Sequence, residues 1–132
     1  MNKFSSARCA AFLMAILVLC GCSSISENTR AYIGSPHVPP TQPGYVRILQ
    51  AVPTEPHTRL GEVLLNVEGQ PSRDAVEKRL REGAARLGAD AVVVVADRMH
   101  IFPVVYYDWW GPSTVSQDVR RNIVGVAIKY NK

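Results

Sequence analysis

The amino-acid sequence predicts an α+β fold in which one long amphipathic helix packs on a small sheet of four to five strands, in the order β-β-α-β-β-β. Three observations carry this expectation. Residues 73–87 hold Val76, Leu80, Ala84 and Leu87 at helical spacing. Val63, Leu65 and Val67, and later Val124, Val126 and Ile128, alternate with the period of a strand. Ala91–Ala96 is a β-branched run, apolar on both faces, which suits a central strand. The chain has 132 residues, 47% of them apolar and 20% charged, enough for one small domain and inconsistent with gross disorder or a multi-pass membrane protein.

At the N-terminus, Lys3 and Arg8 precede an unbroken apolar run from Ala10 to Leu19, the pattern of a secretory signal in residues 1–21. That run is half of the roughly 20 residues a spanning helix needs, so export is favoured over a permanent transmembrane anchor. Leu19-Cys20-Gly21-Cys22 resembles the bacterial lipobox, with the small Gly21 placed before Cys22 where a signal peptidase requires a small side chain. The resemblance implies that Cys22 carries a diacylglyceryl group and, after cleavage, an acylated amino terminus. Several chains at about 0.8 kcal/mol per buried methylene hold a protein on a membrane for long periods. Ser23 follows the cysteine where an Asp would suggest inner-membrane retention, so the expected location is the outer membrane, facing the periplasm. Removal of Cys9 and Cys20 with the signal, and alkylation of Cys22, would leave no thiol for disulfides, catalysis or zinc.

The formal charge of +4 falls to +2 when Lys3 and Arg8 are set aside, which gives no footprint for nucleic acid. Residues 22–44 read as the lipidated cysteine followed by a polar tether rich in Pro36, Pro39, Pro40 and Pro43, with a reach on the order of 50 Å. His37 falls in that tether. The folded domain is then expected at 45–132.

Its first strand is expected from Tyr45 to Val52, closed by Pro53, and its second from Leu60 to Val67. Ser72 is placed to cap the helix, and Gly88 to take a left-handed conformation after it. The other helix face carries the acid-first pairs Asp74 with Lys78, Glu77 with Arg81 and Glu82 with Arg86, a solvated surface. Three more strands are expected at Ala91–Ala96, Ile101–Tyr107 and Asn122–Tyr130, with Gly111-Pro112 as a turn.

Three stretches together carry a family resemblance: Leu60-Gly61-Glu62-Val63, the helix-to-strand junction from Ala84 to Val92, and Gly125-Val126-Ala127-Ile128. They resemble the YbjQ-like family and the related Rcs stress-sensor lipoproteins over about Val46 to Tyr130. The resemblance implies a small α+β sandwich, oligomeric in some soluble members. It transfers no catalytic residue. The cysteines that bridge the stress-sensor domain have no counterpart here, and no Cys or His pair stands at metal-ligand spacing.

No hydrolase, phosphate-loop, zinc-protease or EF-hand motif occurs, so no catalytic residue, cofactor or metal site is assigned. The unusual cluster is Tyr106-Tyr107-Asp108-Trp109-Trp110, because alternation buries only about half of five adjacent positions. Tyr106, Tyr107, Trp109 and Trp110 are therefore the candidate partner-binding residues. The leading expectation is a non-enzymatic envelope lipoprotein that touches another envelope component through this cluster. The alternative is a ligand- or metal-binding periplasmic module using His57, His100 and nearby acids.

Overall fold

The computed structural model describes residues 23–131, so the signal segment and Cys22 lie outside the described residues. Five strands and one helix follow in the order β1 (Ser24–Ala31), β2 (Arg47–Leu49), β3 (His57–Glu68), α1 (Arg73–Arg86), β4 (Ala91–Asp108) and β5 (Gly111–Tyr130), with a 3₁₀ turn at Pro43–Tyr45. They form one mixed sheet in the order β1-β3-β5-β4-β2. Only β2 runs parallel to its neighbour, pairing Arg47–Leu49 with Ala91–Val93.

The expected α+β fold built on one long helix is not what forms. Strand accounts for 54% of the described residues and helix for 16%, so a single short helix rests on a dominant sheet. The helix has 14 residues, about 21 Å, whereas β4 and β5 have 18 and 20. Two expected strands, Ala91–Ala96 and Ile101–Tyr107, are one strand carrying a bulge between Val94 and Ala96. The last strand starts at Gly111 and not at Asn122. Polar Ser116, Gln117 and Asp118 hide it, since their backbone pairs with β4 although no core lies beneath them.

Helix formation follows the residues closely. Ser72 accepts a hydrogen bond from the Ala75 amide at 3.3 Å, and Asp74 and Arg86 complement the helix dipole at its two ends. At the C-terminus the Gly88 amide donates to Ala85 O and the Ala89 amide to Ala84 O, a Schellman ending with Gly88 at φ +76°. Val76, Leu80 and Ala84 then pack with Val63, Leu65, Val67, Val92, Ile123 and Ala127 in one core between helix and sheet. Small residues set the spacing of the two layers. A Cβ at Gly83 would stand 2.6 Å from Val63 Cγ1, and one at Gly125 2.6 Å from Val92 Cγ2. On the other face of the sheet Ala91, Val93 and Ile128 form a second small cluster, flanked by Leu49, Val126 and Tyr130.

The expected tether is also corrected. Ser24–Ala31 is a sheet strand, paired antiparallel with Gly61–Glu68. Its sequence is mostly polar, because the inward position between Ile25 and Thr29 is filled by Glu27, whose carboxylate pairs with Arg86 and accepts from Thr29 Oγ1 at 2.8 Å. A paired charge whose side chain is almost wholly covered reads as solvated in a sequence. The Pro-rich segment is likewise fixed to the domain, with the Thr41 amide donating to Ala85 O at 2.9 Å and Thr41 Oγ1 to Ala89 O at 2.9 Å. Its prolines straighten a strap that crosses the helix C-terminus, where Val38 packs against the core.

Candidate functional site: a projecting aromatic β-arm

The sheet is not equally wide along its length. Pairing of β3 with β5 ends at Glu68 opposite Arg120, and β1 begins at that level with Ser24 opposite Glu68. The ladder between β4 and β5 runs on, from His100 opposite Arg120 to Asp108 opposite Gly111. Beyond that level, Ile101 to Val119 form a two-stranded ribbon with no third strand beside it. Its eight β4 residues span roughly 27 Å at about 3.4 Å each.

The arm forms because its β4 strand is rich in Ile, Val and Tyr, which favour extended backbone, and because a tight reversal brings the more polar β5 strand back to pair with it. Trp109 and Trp110 are the two turn residues, and Gly111 follows at φ +120°, a conformation that a side chain would strain. The turn thus falls two residues before the expected Gly111-Pro112. The indole rings lie 4.1 Å apart between centroids, tilted by 45°. All four candidate residues reach solvent. Trp109 and Trp110 are 84% and 80% exposed, and Tyr106 and Tyr107 are exposed behind them.

Alternation then separates the two faces of the ribbon. Asp97 and Arg121 line the same hollow as Val76 and Leu80 of α1, which places the odd-numbered positions that follow on the helix side of the sheet. That face carries Met99, Ile101, Pro103 and Val105, with Val119 opposite Ile101, Gln117 opposite Pro103 and Val115 opposite Val105. Met99, Ile101, Val105 and Val115 are all exposed, so the apolar face of the sheet continues past the end of the helix with no layer over it. The reverse face is mixed. His100 stacks on Phe102 at 6.1 Å between centroids, and Arg120 Nε donates to Asp118 at 3.0 Å.

Single-sequence reading finds the aromatic tip and misses this apolar face. Its signal is the odd-numbered run Met99, Ile101, Pro103, Val105, which reads equally well as a buried strand. Only the point where the third strand stops distinguishes the two.

The root of the arm is tied by Asp97 and Arg121. Arg121 Nε donates to Asp97 Oδ1 at 2.6 Å, and Nη2 bonds Oδ2. This hydrogen-bonded pairing, against some opposing desolvation, holds the Asp97 carboxyl below the usual carboxylate range and raises the Arg121 guanidinium.

The histidines of the alternative reading are not brought together. His57 pairs with Tyr130 at one end of the sheet, with Nδ1 2.8 Å from Glu55 O, whereas His100 pairs with Arg120 at the other. Among the described residues no group of three or more His, Cys, Asp or Glu is placed to hold a metal ion.

No protein-family model matches the chain, and no curated protein matches it. Among solved structures, the crystal structure of the Francisella virulence factor FvfA in its orthorhombic form superposes with a TM-score of 0.44 at 15% identity. The match covers 76% of this chain and 97% of that one.

Proposed function

We propose that this protein is a non-enzymatic envelope lipoprotein, anchored through acyl chains on Cys22, probing another envelope component with the β-arm. The observation that carries the reading is the arm itself. Exposed apolar patches of this extent mark contact surfaces, and tyrosine and tryptophan suit sites where an apolar body meets a wet edge. A two-stranded hairpin is marginal in water without a partner for its faces, so a second body would stabilise what the chain holds out. The order of charge, apolar run, Gly21 and Cys22 supports the anchor and an outer-membrane location facing the periplasm. Kinship with YbjQ-like domains belongs to the same proposal, supported by the junction residues Ala84 to Val92.

The test is metabolic labelling with a clickable fatty acid, combined with in-cell crosslinking of the full chain. Label incorporated into the natural sequence and absent from Cys22→Ala is the expected result. Crosslinked product lost in Trp109→Ala/Trp110→Ala, at unchanged protein level, would place the contact at the tip. Unlabelled protein, or unchanged crosslinking, would count against the reading.

A further inference from the structure

We infer that the component met by the arm is the interfacial layer of the bilayer itself. This rests on acylation of Cys22, and it follows from where the chain leaves the sheet. Ser24, Glu68, Arg120 and His100 stand side by side across four strands at one end of the sheet. The arm leaves from that end. Cys22 precedes Ser24 by two residues, a reach of at most about 7 Å, while the arm extends roughly 27 Å past the same level. An anchor on so short a leash brings the arm to the lipid, and a domain that leans lays the arm along the surface.

The side agrees with the end. Ser23 shares a hollow with Ile25, Pro71, Ala75, Lys78 and Arg79, which puts the chain's exit on the helix side of the sheet. The uncovered face of Met99, Ile101, Val105 and Val115 lies on that same side. From Ile101 to Val119 the sequence contains no Lys or Arg and two acids, Asp108 and Asp118. The cations stand behind, with Arg120 and Arg121 at the root paired to Asp118 and Asp97, and Lys78 and Arg79 at the exit paired to Glu82. Apolar and aromatic groups therefore make up most of the arm, with cations confined to its root and to the exit. The two open edges of the ribbon keep unpaired backbone groups, which hydrocarbon would leave unsatisfied. The arm accordingly lies in the headgroup layer and does not span.

The chain supplies its own reporter, since Trp109 and Trp110 are its only two tryptophans. The acylated full chain, purified from membranes and reconstituted in vesicles of phosphatidylethanolamine and phosphatidylglycerol, is expected to show blue-shifted emission and weak iodide quenching. Lipid brominated on its upper acyl carbons should quench it strongly. Ile101→Asp/Val115→Asp, with helix and sheet intact by circular dichroism, should restore iodide quenching and abolish bromine quenching. Solvent-like emission from protein whose intact mass shows acylated Cys22 would overturn the inference alone, leaving the anchor standing. Protection from iodide without bromine quenching would assign the tip to a protein partner or a second copy, and also overturns it. An unmodified Cys22 would remove the anchor and this inference together.

Discussion

Asp97 on β4 and Arg121 on β5 reach diagonally across the ladder, Nε donating to Oδ1 at 2.6 Å, just before the sheet narrows from four strands to two. The pair is partly exposed, and exposed pairs contribute at most about 1 kcal/mol after screening. Its position gives it more influence on the arm than on the core. Asp97→Asn should leave the core melting transition nearly unchanged and speed amide exchange in residues 98–108 relative to residues 61–67, read by hydrogen-exchange mass spectrometry.

The same pair sets a pH dependence with a definite sign. Arg121 lowers the folded-state pKa of Asp97, so its stabilisation is present above the unfolded value of about 3.9 and is lost as pH falls through the lower folded value. Thermal melts of the natural protein and Asp97→Asn should therefore differ most near about pH 6 and converge by about pH 2. A difference that grows on acidification would show the opposite coupling.

At Gly83 the helix packs directly on side chains of β1 and β3. A Cβ there would stand 2.6 Å from both Glu27 Oε1 and Val63 Cγ1. Gly83→Ala gains helix propensity of about 1 kcal/mol yet must push the layers apart, which costs about 1–3 kcal/mol, more with Val63 in the wall. Net destabilisation in urea titration is expected, and Gly83→Val should be worse.

Gly88→Ala tests the strap as well as the cap. Its φ of +76° strains any side chain, and a Cβ would lie 2.6 Å from Pro39 O. Loss of about 1–2 kcal/mol is expected, with faster proteolysis between residues 36 and 42 than in the natural protein. A tether swinging free of the domain would show cleavage there in both proteins alike.

Trp109 and Trp110 pack on each other and little else, so Trp109→Ala/Trp110→Ala should change stability by less than about 0.5 kcal/mol. Unfolding by urea, followed by circular dichroism, checks it. A large loss would mean that the indoles serve the fold.

What was legible in the sequence was local. Ser72, the spacing of Val76, Leu80 and Ala84, and the left-handed Gly88 define the helix through contacts within a few residues of each other, and the structure has them as expected. The aromatic tip was legible for the same reason. What failed depends on partners distant in sequence. β1 is held by Glu27 against Arg86, 59 residues away, a pairing that a hydropathy pattern does not carry. The part of β5 before Val119 is held only by β4, so its residues 115–118 lack the alternation of a strand over a core. Reading the fold as α+β around a long helix follows from counting elements that show periodicity and missing those that do not.

The most direct measurement is photocrosslinking from within living cells, with a photoreactive amino acid replacing Tyr107 on the arm or Glu55 at the far end of the sheet. Adducts to lipid or to another envelope component are expected from position 107, dependent on Cys22, and not from position 55. Absence of adducts at 107, or equal yield at both positions, would contradict the assignment of the arm as the surface through which this protein acts.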